Sequence, residues 1–423
     1  MSSALRGALS QLPLLLVLQL VLFSPLPLGS NRPLFAGLMA CVSALALMLW
    51  AYTGRIELHW QRLALPLACF ALVWLWALGN VFFISVDTNA SVVGLMQMST
   101  YFALFVVALQ LGRNMRSARL LVKALALSGI LYAAYALTVY ALGNEHVLWL
   151  EKYAYADSLT GTFINRNSFA AYAGMCLLAC LALLAHTIGR EDGKLHRILS
   201  TASGTFWLVV PGSFMIALAL VLSTSRAGLL STGIGLLALG FGIAYTRLLP
   251  RRWLLGLGLC CSLLIVGSIA LVGDRLLQRS SVQSLLQDDR PQIWLATTSM
   301  IANSPLTGHG LNTYEQMFLQ YRTPAIKQNY TKAHSTYLET AAELGVPAAI
   351  VYFSGFALIG LFLLRGQHIR RHGKVYPVLA FALLMQAGTH ALVDFSFQIP
   401  ANAAILATLL GVGVAQSFST QEA

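Results

Sequence analysis

Long apolar runs, separated by short polar segments, repeat along nearly the whole chain. Each run of about 18 to 25 residues is long enough to cross a bilayer as an α-helix. We place about twelve such spans, at residues 10–27, 34–52, 63–84, 91–112, 118–142, 167–188, 205–223, 226–247, 252–273, 347–364, 376–395 and 399–417. The pattern predicts an all-α polytopic membrane protein in which residues 1–423 form one integral membrane domain.

Two segments between the predicted spans are longer than a simple turn. The shorter covers about 143–166, and the longer, about 274–346, lies between the ninth and tenth spans. The longer contains two stretches typical of amphipathic helices, "DRLLQRSSVQSLLQ" and "RPQIWLATTSMIANSPLTGHG". The second has Pro291 at a first-turn position and is predicted to break near Pro305. Because loops of this length are more often functional than idle, we expect function here.

The charge distribution follows the predicted spans. Only 10% of the residues are charged, against about 25% in soluble domains, which excludes a water-soluble globule. One set of alternate loops holds most of the positive charges: Arg6, Arg55, Arg62, Arg113, Arg116, Arg119, Arg190, Lys194, Arg197, Arg247, Arg251, Arg252, Arg365, Arg370, Arg371 and Lys374. By the positive-inside rule both termini lie in the cytoplasm and the long loop lies on the outer side of the membrane. The net charge of +12 therefore reflects topology rather than a nucleic-acid partner.

Two arginines occupy positions where a charge is costly. Arg226, in "STSRAGLL", stands between two apolar runs on the outer side, and Arg290 opens "RPQIW". A guanidinium offers planar, paired donors to a phosphate and keeps its charge, so two of them suit a pyrophosphate. The alternatives are an Arg226 that snorkels to lipid head groups and an Arg290 that pairs with Asp288 or Asp289. The sequence has no glycine-rich phosphate loop, and its cysteines and acidic residues form no metal-ligand pattern, which favours a metal-free mechanism.

A histidine lies where the long loop meets the next helix. His334 precedes a predicted helix start at which Thr336 and Glu339 have the spacing of a capping box, and Gly345 provides a stop. An imidazole with an ordinary pKa of about 6.5 can remove a proton from a sugar hydroxyl near neutral pH. The alternative is an interfacial polar residue without a chemical role.

Five segments together resemble the O-antigen ligase and polymerase superfamily. They are "GTFINRNSFAAY" (161–172), "STSRAGLL" (223–230), "DDRPQIWLATTSMIANSPLTGHGLNTY" (288–314), "AHSTYLETAAELGVPA" (333–348) and "THALVDFSFQIPANAAILATLLG" (389–411). The resemblance covers roughly the second two-thirds of the chain, and the order and spacing of the blocks make it specific. It implies a multi-span glycosyltransferase of the bacterial inner membrane. Such enzymes take glycan from undecaprenyl pyrophosphate on the periplasmic side, without a nucleotide sugar, metal or other cofactor.

The resemblance assigns roles to individual positions. His334 matches the histidine proposed as the base that activates the acceptor hydroxyl, and Arg226 and Arg290 match arginines that bind pyrophosphate. Residues 165–167 match an Asn-x-Asn block: Asn165, Arg166 and Asn167 are candidate donor-binding residues, although the asparagines also suit a structural role in the loop. Arg166 replaces the proline of a family variant.

His390 and Asp394 stand one helical turn apart near the outer end of a span. An ionisable pair in this position is a candidate for function, and an orienting or packing pair is the alternative.

The function that follows is an O-antigen ligase, an inverting transferase whose donor is an undecaprenyl-pyrophosphate-linked glycan and whose acceptor is a lipid A-core sugar hydroxyl. A polymerase, with a growing lipid-linked chain as acceptor, remains open, as does a protein O-oligosaccharyltransferase. A transporter of lipid-linked glycan is the alternative from a different class. The polar residues cluster at one face of the membrane, and the two halves of the chain show no clear similarity, which favours catalysis over transport.

Overall fold

The fold is almost entirely helical. The computed structural model describes residues 3–53, 60–191, 204–250, 289–324 and 328–418, with a few single positions between these ranges. Within them lie fourteen α-helices and a two-stranded hairpin, β1 (His146–Val147) and β2 (Leu150–Glu151). Eight helices in this part of the chain are long and apolar enough to cross a membrane. The prediction of an all-α polytopic membrane protein is confirmed.

Eleven of the predicted spans overlap apolar helices, and the ninth, 252–273, falls almost wholly outside the described residues. The helices are α1 (Ser3–Phe23), α2 (Pro33–Thr53), α3 (Trp60–Phe83), α4 (Thr88–Leu111), α5 (Met115–Ala141), α6 (Arg166–Arg190), α7 (Gly204–Leu222), α8 (Arg226–Tyr245), α12 (Val346–Ile369), α13 (Val375–His390) and α14 (Pro400–Ala415). The span predicted to reach residue 395 ends earlier, at His390. The chain turns there, with the Leu392 and Val393 amides bonded three residues back.

Three short helices fold in the long loop predicted at about 274–346. They are α9 (Arg290–Asn303), α10 (Tyr314–Tyr321) and α11 (Thr336–Leu344), and they share a small core of Ile293, Met300, Phe318, Ala333 and Ala342. The predicted helix after the first-turn Pro291 is confirmed, and it ends at Asn303, just before Pro305. The stretch "DRLLQRSSVQSLLQ" lies outside the described residues.

The helices α6, α8 and α13 pack against one another, and α14 packs against α13 and α4. Close packing depends on small residues, as is usual between membrane helices. A Cβ added at Gly413 of α14 would lie 2.1 Å from the Cβ of Ala380 in α13. The predicted site residues lie at one end of this group of helices. At that end α6, α8 and α14 begin and α13 ends.

Candidate functional site

Asp394 is the centre of a buried polar cluster in the turn after α13. Its side chain has no solvent exposure. Its Oδ2 accepts a hydrogen bond from Asn167 Nδ2 at 2.7 Å, and its Oδ1 accepts from the amide and the hydroxyl of Ser396 at 3.0 and 2.5 Å. An aspartate that binds the amide two residues ahead fixes its own turn. The carboxylate is therefore held in one orientation.

Three predicted site residues converge on this carboxylate. Arg290 Nη2 lies 3.9 Å and His334 Nδ1 lies 3.7 Å from Oδ2, while His390 Nε2 lies 3.7 Å from Oδ1. These separations exceed hydrogen-bond length, so the attraction is mainly electrostatic. Burial alone would raise the pKa of Asp394, but the neighbouring His334, His390 and Ser396 hold it well below its usual range. Asp394 is thus an anion that faces three potentially cationic side chains.

His334 has an unusual backbone conformation in the turn before α11. Its φ is +51°, in the left-handed region that residues other than glycine rarely adopt. The ring packs edge-on against Tyr330 and Phe395, with centroids 5.8 and 5.1 Å away. Nδ1 is buried and has no hydrogen-bond partner among the described residues. Because Nδ1 faces Asp394, the other ring nitrogen, Nε2, points away from that carboxylate.

The predicted capping box is wrong. Ser335, not Thr336, is the N-cap residue of α11, and its side chain makes no capping hydrogen bond. Thr336 instead binds the turn after α13: its amide donates to Ala391 O at 2.9 Å and its hydroxyl donates to Asp394 O at 3.2 Å. The predicted stop at Gly345 is confirmed, with a φ of +86° at the end of the helix.

Asn167 connects Asp394 to the start of α8. Its amide nitrogen donates to Asp394, and its Oδ1 accepts from Ser225 Oγ at 2.7 Å. Ser225 caps α8 by accepting from the Gly228 amide, and Arg226, partly buried, is the next residue. Both ends of the Asn167 amide are therefore engaged within the protein, as the structural interpretation of the asparagines expects.

Asn165 and Arg166 lie beside this connection. Asn165 caps α6, with Oδ1 accepting from the Asn167 amide at 2.7 Å. The Arg166 guanidinium lies 4.9 Å above the Tyr155 ring and donates to Ser158 Oγ at 3.3 Å. Ser158 Oγ is also 2.9 Å from Thr224 Oγ1, just before Ser225. The shorter loop, about 143–166, thus packs against the start of α8.

Four helices begin around the cluster. The helices α6, α8 and α9 start at Arg166, Arg226 and Arg290, and α11 starts at Thr336. The first turn of a helix carries a partial positive charge and unpaired amides that attract anions. Together with the arginines, these helix starts make the region suitable for a phosphate-containing group.

The comparison with known families agrees with this chemistry. A family model described as O-Antigen ligase matches residues 211–353, from α7 into α12. This match, which spans about a third of the chain, supports the resemblance to the O-antigen ligase and polymerase superfamily. No curated protein matches the chain. The matched family suggests a glycosyltransferase-like ligase or polymerase, and it implies lipid-linked glycan substrates and membrane embedding.

The matched segment holds Arg226, Arg290 and His334, but not Asn167 or Asp394. The hydrogen bonds and ion pairs at Asp394 join the matched and unmatched parts into one site. Sequence reasoning missed Ser225 and Ser396, which complete the cluster, because a serine in an apolar protein gives no distinctive signal.

Proposed function

We propose that this protein is an O-antigen ligase. It transfers an O-antigen or related polysaccharide from undecaprenyl pyrophosphate to a sugar hydroxyl of lipid A-core, on the periplasmic side of the bacterial inner membrane, with both termini in the cytoplasm. The observation that carries the proposal is the convergence of His334 and Arg290 on the buried Asp394, beside the start of α8 at Arg226.

Arg226 and Arg290 bind the pyrophosphate of the donor. Each guanidinium offers parallel N–H donors to phosphate oxygens, and the nearby helix starts add backbone amides of the same polarity. Arg166, on the neighbouring α6, extends this positive surface towards the shorter outer loop. These charges offset the negative charge that grows on the leaving group as the glycosidic bond breaks.

His334 is the general base, and Asp394 orients it. A carboxylate next to Nδ1 favours the tautomer that carries its proton on Nδ1, which leaves Nε2 free to accept one. Nε2 takes the proton of the acceptor hydroxyl while its oxygen attacks the anomeric carbon. The bond from that carbon to the pyrophosphate oxygen breaks, and undecaprenyl pyrophosphate leaves with the electron pair. A single displacement of this kind inverts the anomeric configuration, and Asp394 stabilises the imidazolium that forms.

A polymerase would use the same residues with a lipid-linked chain as acceptor, so the acceptor decides between the two. The test uses a host that lacks its own ligase but makes lipid-linked O-antigen. Wild type, His334→Ala and the control His146→Ala, whose side chain is exposed on β1, are expressed at equal membrane levels. The lipopolysaccharide is then resolved on a gel.

We expect a polysaccharide ladder on lipid A-core with the wild type and the control. His334→Ala should lose the ladder while the lipid-linked polymer persists on the outer leaflet. A wild type without a ladder would remove the ligase assignment for these substrates and direct the test to polymerase activity. A ladder that survives in His334→Ala would refute the base, and glycan trapped on the cytoplasmic leaflet would indicate a transporter.

A further inference from the structure

A buried carboxylate on α11 holds the two residues that precede His334. Glu339 is 2% exposed. Its Oε1 accepts from Lys332 Nζ at 2.9 Å, and its Oε2 accepts from the Ala333 amide at 2.8 Å. A buried charge is costly unless it is paired and hydrogen-bonded, and both oxygens here are engaged. Glu339 thus clamps the chain immediately before the histidine.

The clamp explains how His334 keeps its left-handed conformation. Such a conformation persists in a residue other than glycine only where the surroundings hold it. On the N-terminal side, Glu339 holds Lys332 and Ala333. On the C-terminal side, Thr336 is held by Ala391 O and Asp394 O. The turn that carries the imidazole is therefore fixed at both ends. The contacts on the C-terminal side include Asp394, whose carboxylate also faces His334 Nδ1.

We propose that Glu339 is a positioning residue that sets the distance and angle between the His334 ring and Asp394. This inference rests on the proposed function of His334 as the base. Loss of the clamp lets the turn relax, so that the imidazole moves away from Asp394 while the donor-binding arginines keep their places. Glu339 itself touches neither substrate nor the reacting atoms.

A matched control lies one turn further along α11. Glu343 is also buried, but its Oε1 accepts from the Tyr314 amide at 3.2 Å and so holds a different segment. Glu343→Gln leaves the hydrogen bonds of Glu339 to Lys332 and Ala333 in place. Because Glu343 also neighbours Lys332 and Glu339, this control is compared with the wild type at pH values below the Glu343 pKa of about 7, where glutamine mimics the protonated side chain. Glu339→Ala removes the clamp, and Glu339→Gln provides a milder variant that keeps one acceptor oxygen if the alanine variant does not accumulate.

The first readout does not depend on transfer activity. Full-length protein in lipid nanodiscs is treated with diethyl pyrocarbonate, and the modification rate of His334 is followed by mass spectrometry as a function of pH. In Glu339→Ala or Glu339→Gln the modification rate of His334 should change at least about threefold, because the ring environment changes. The pH profile of that rate should also differ from that of the wild type. In Glu343→Gln both should match the wild type at pH values below about 7. An unchanged His334 profile in the Glu339 variants, or an equal change in Glu343→Gln, would overturn the inference.

The second readout is transfer. Glu339→Ala should lower kcat about 100-fold with little change in the donor KM, since small displacements of a catalytic group have effects of this size. In a His334→Ala background the same substitution should cause no further loss, because coupled residues are not additive. A further loss in that background would show that Glu339 does not act through His334. If His334 modification changes as expected but neither Glu339 variant affects transfer, Glu339 does position the His334 ring, and the proposed role of His334 as the base is refuted.

Discussion

The carboxylate Oδ2 of Asp394 lies 3.7 Å from Nδ1 of His334, although the two residues belong to different segments on either side of α12 and α13. Asp394 is buried and hydrogen-bonded by Asn167 and Ser396, whereas the His334 ring is 17% exposed. A fixed, buried anion thus faces the buried Nδ1 of a histidine whose side chain keeps some exposure. This is the arrangement that a general base requires.

Asp394→Asn should abolish most transfer, and it should also lower stability, because its amide nitrogen must face either Asn167 Nδ2 or the Ser396 amide, both of which are donors. The amide has the shape of the carboxylate but no charge, so it stabilises neither the correct tautomer nor the imidazolium of His334. We expect a fall in kcat of about 1,000-fold or more, in line with the loss of an orienting carboxylate elsewhere. Initial rates of transfer to lipid A-core, measured at equal amounts of folded protein, test this expectation. Near-normal rates would exclude Asp394 from the mechanism.

The membrane part could be predicted from the sequence because a bilayer imposes a simple rule. A span needs a long apolar run, and the runs found by this rule overlap the helices of the described chain. The errors lie at the ends. The rule extended the span that becomes α13 to residue 395, because Ala391–Phe395 is largely apolar, whereas these residues turn and carry Asp394 into the polar cluster.

The site could be predicted only in part. The sequence places His390 and Asp394 one helical turn apart, and His390 Nε2 lies 3.7 Å from Asp394 Oδ1, although Asp394 follows the end of α13. The convergence of Asn167, Arg290 and His334 on Asp394 depends on tertiary packing, and one sequence contains no distances. Glu339 is an example. Its spacing from Thr336 predicts a capping box, but Ser335, not Thr336, is the N-cap residue, and the Glu339 carboxylate accepts from the Ala333 amide instead.

Arg290→Lys should weaken donor binding. Lysine keeps the positive charge but lacks the planar pair of donors that matches a phosphate. We expect the donor KM to rise about tenfold in the lysine variant, and by more in Arg290→Ala, since hydrogen bonds to charged groups contribute about 1.5–3 kcal/mol. Arg322→Lys, on an exposed arginine after α10, is the control. Kinetics over a range of donor concentrations give the answer, and an unchanged KM in both Arg290 variants would contradict pyrophosphate binding there.

Asn167→Ala should destabilise the protein rather than only weaken substrate binding. The substitution leaves Asp394 Oδ2 and Ser225 Oγ without their shared partner in the interior. Each buried polar group left unsatisfied costs about 1–3 kcal/mol. We expect a lower midpoint of thermal unfolding, measured by intrinsic fluorescence in detergent, and a larger decrease in Asn167→Asp, which places a second carboxylate beside Asp394. Normal stability with a raised donor KM would instead favour the interpretation of Asn167 as a donor contact.

The stability of α9, α10 and α11 should depend on pH through Glu343. Burial, together with the neighbouring Glu339, raises the pKa of Glu343 to about 7. In the unfolded chain a glutamate has a pKa of about 4.3, so between these values the folded state holds a proton that the unfolded state has lost. The contribution of Glu343 to the free energy of unfolding is therefore complete below about pH 4.3 and is lost as the pH rises through 7.

Glu343→Gln mimics the protonated side chain and should remove this pH dependence. Between pH 4.5 and 8 the thermal midpoint of the wild type should therefore fall relative to the variant by about 2–4 °C or more. Glu315→Gln, on the exposed side of α10, is the control that should follow the wild type. Parallel curves for the wild type and Glu343→Gln would show that Glu343 does not change its protonation on folding.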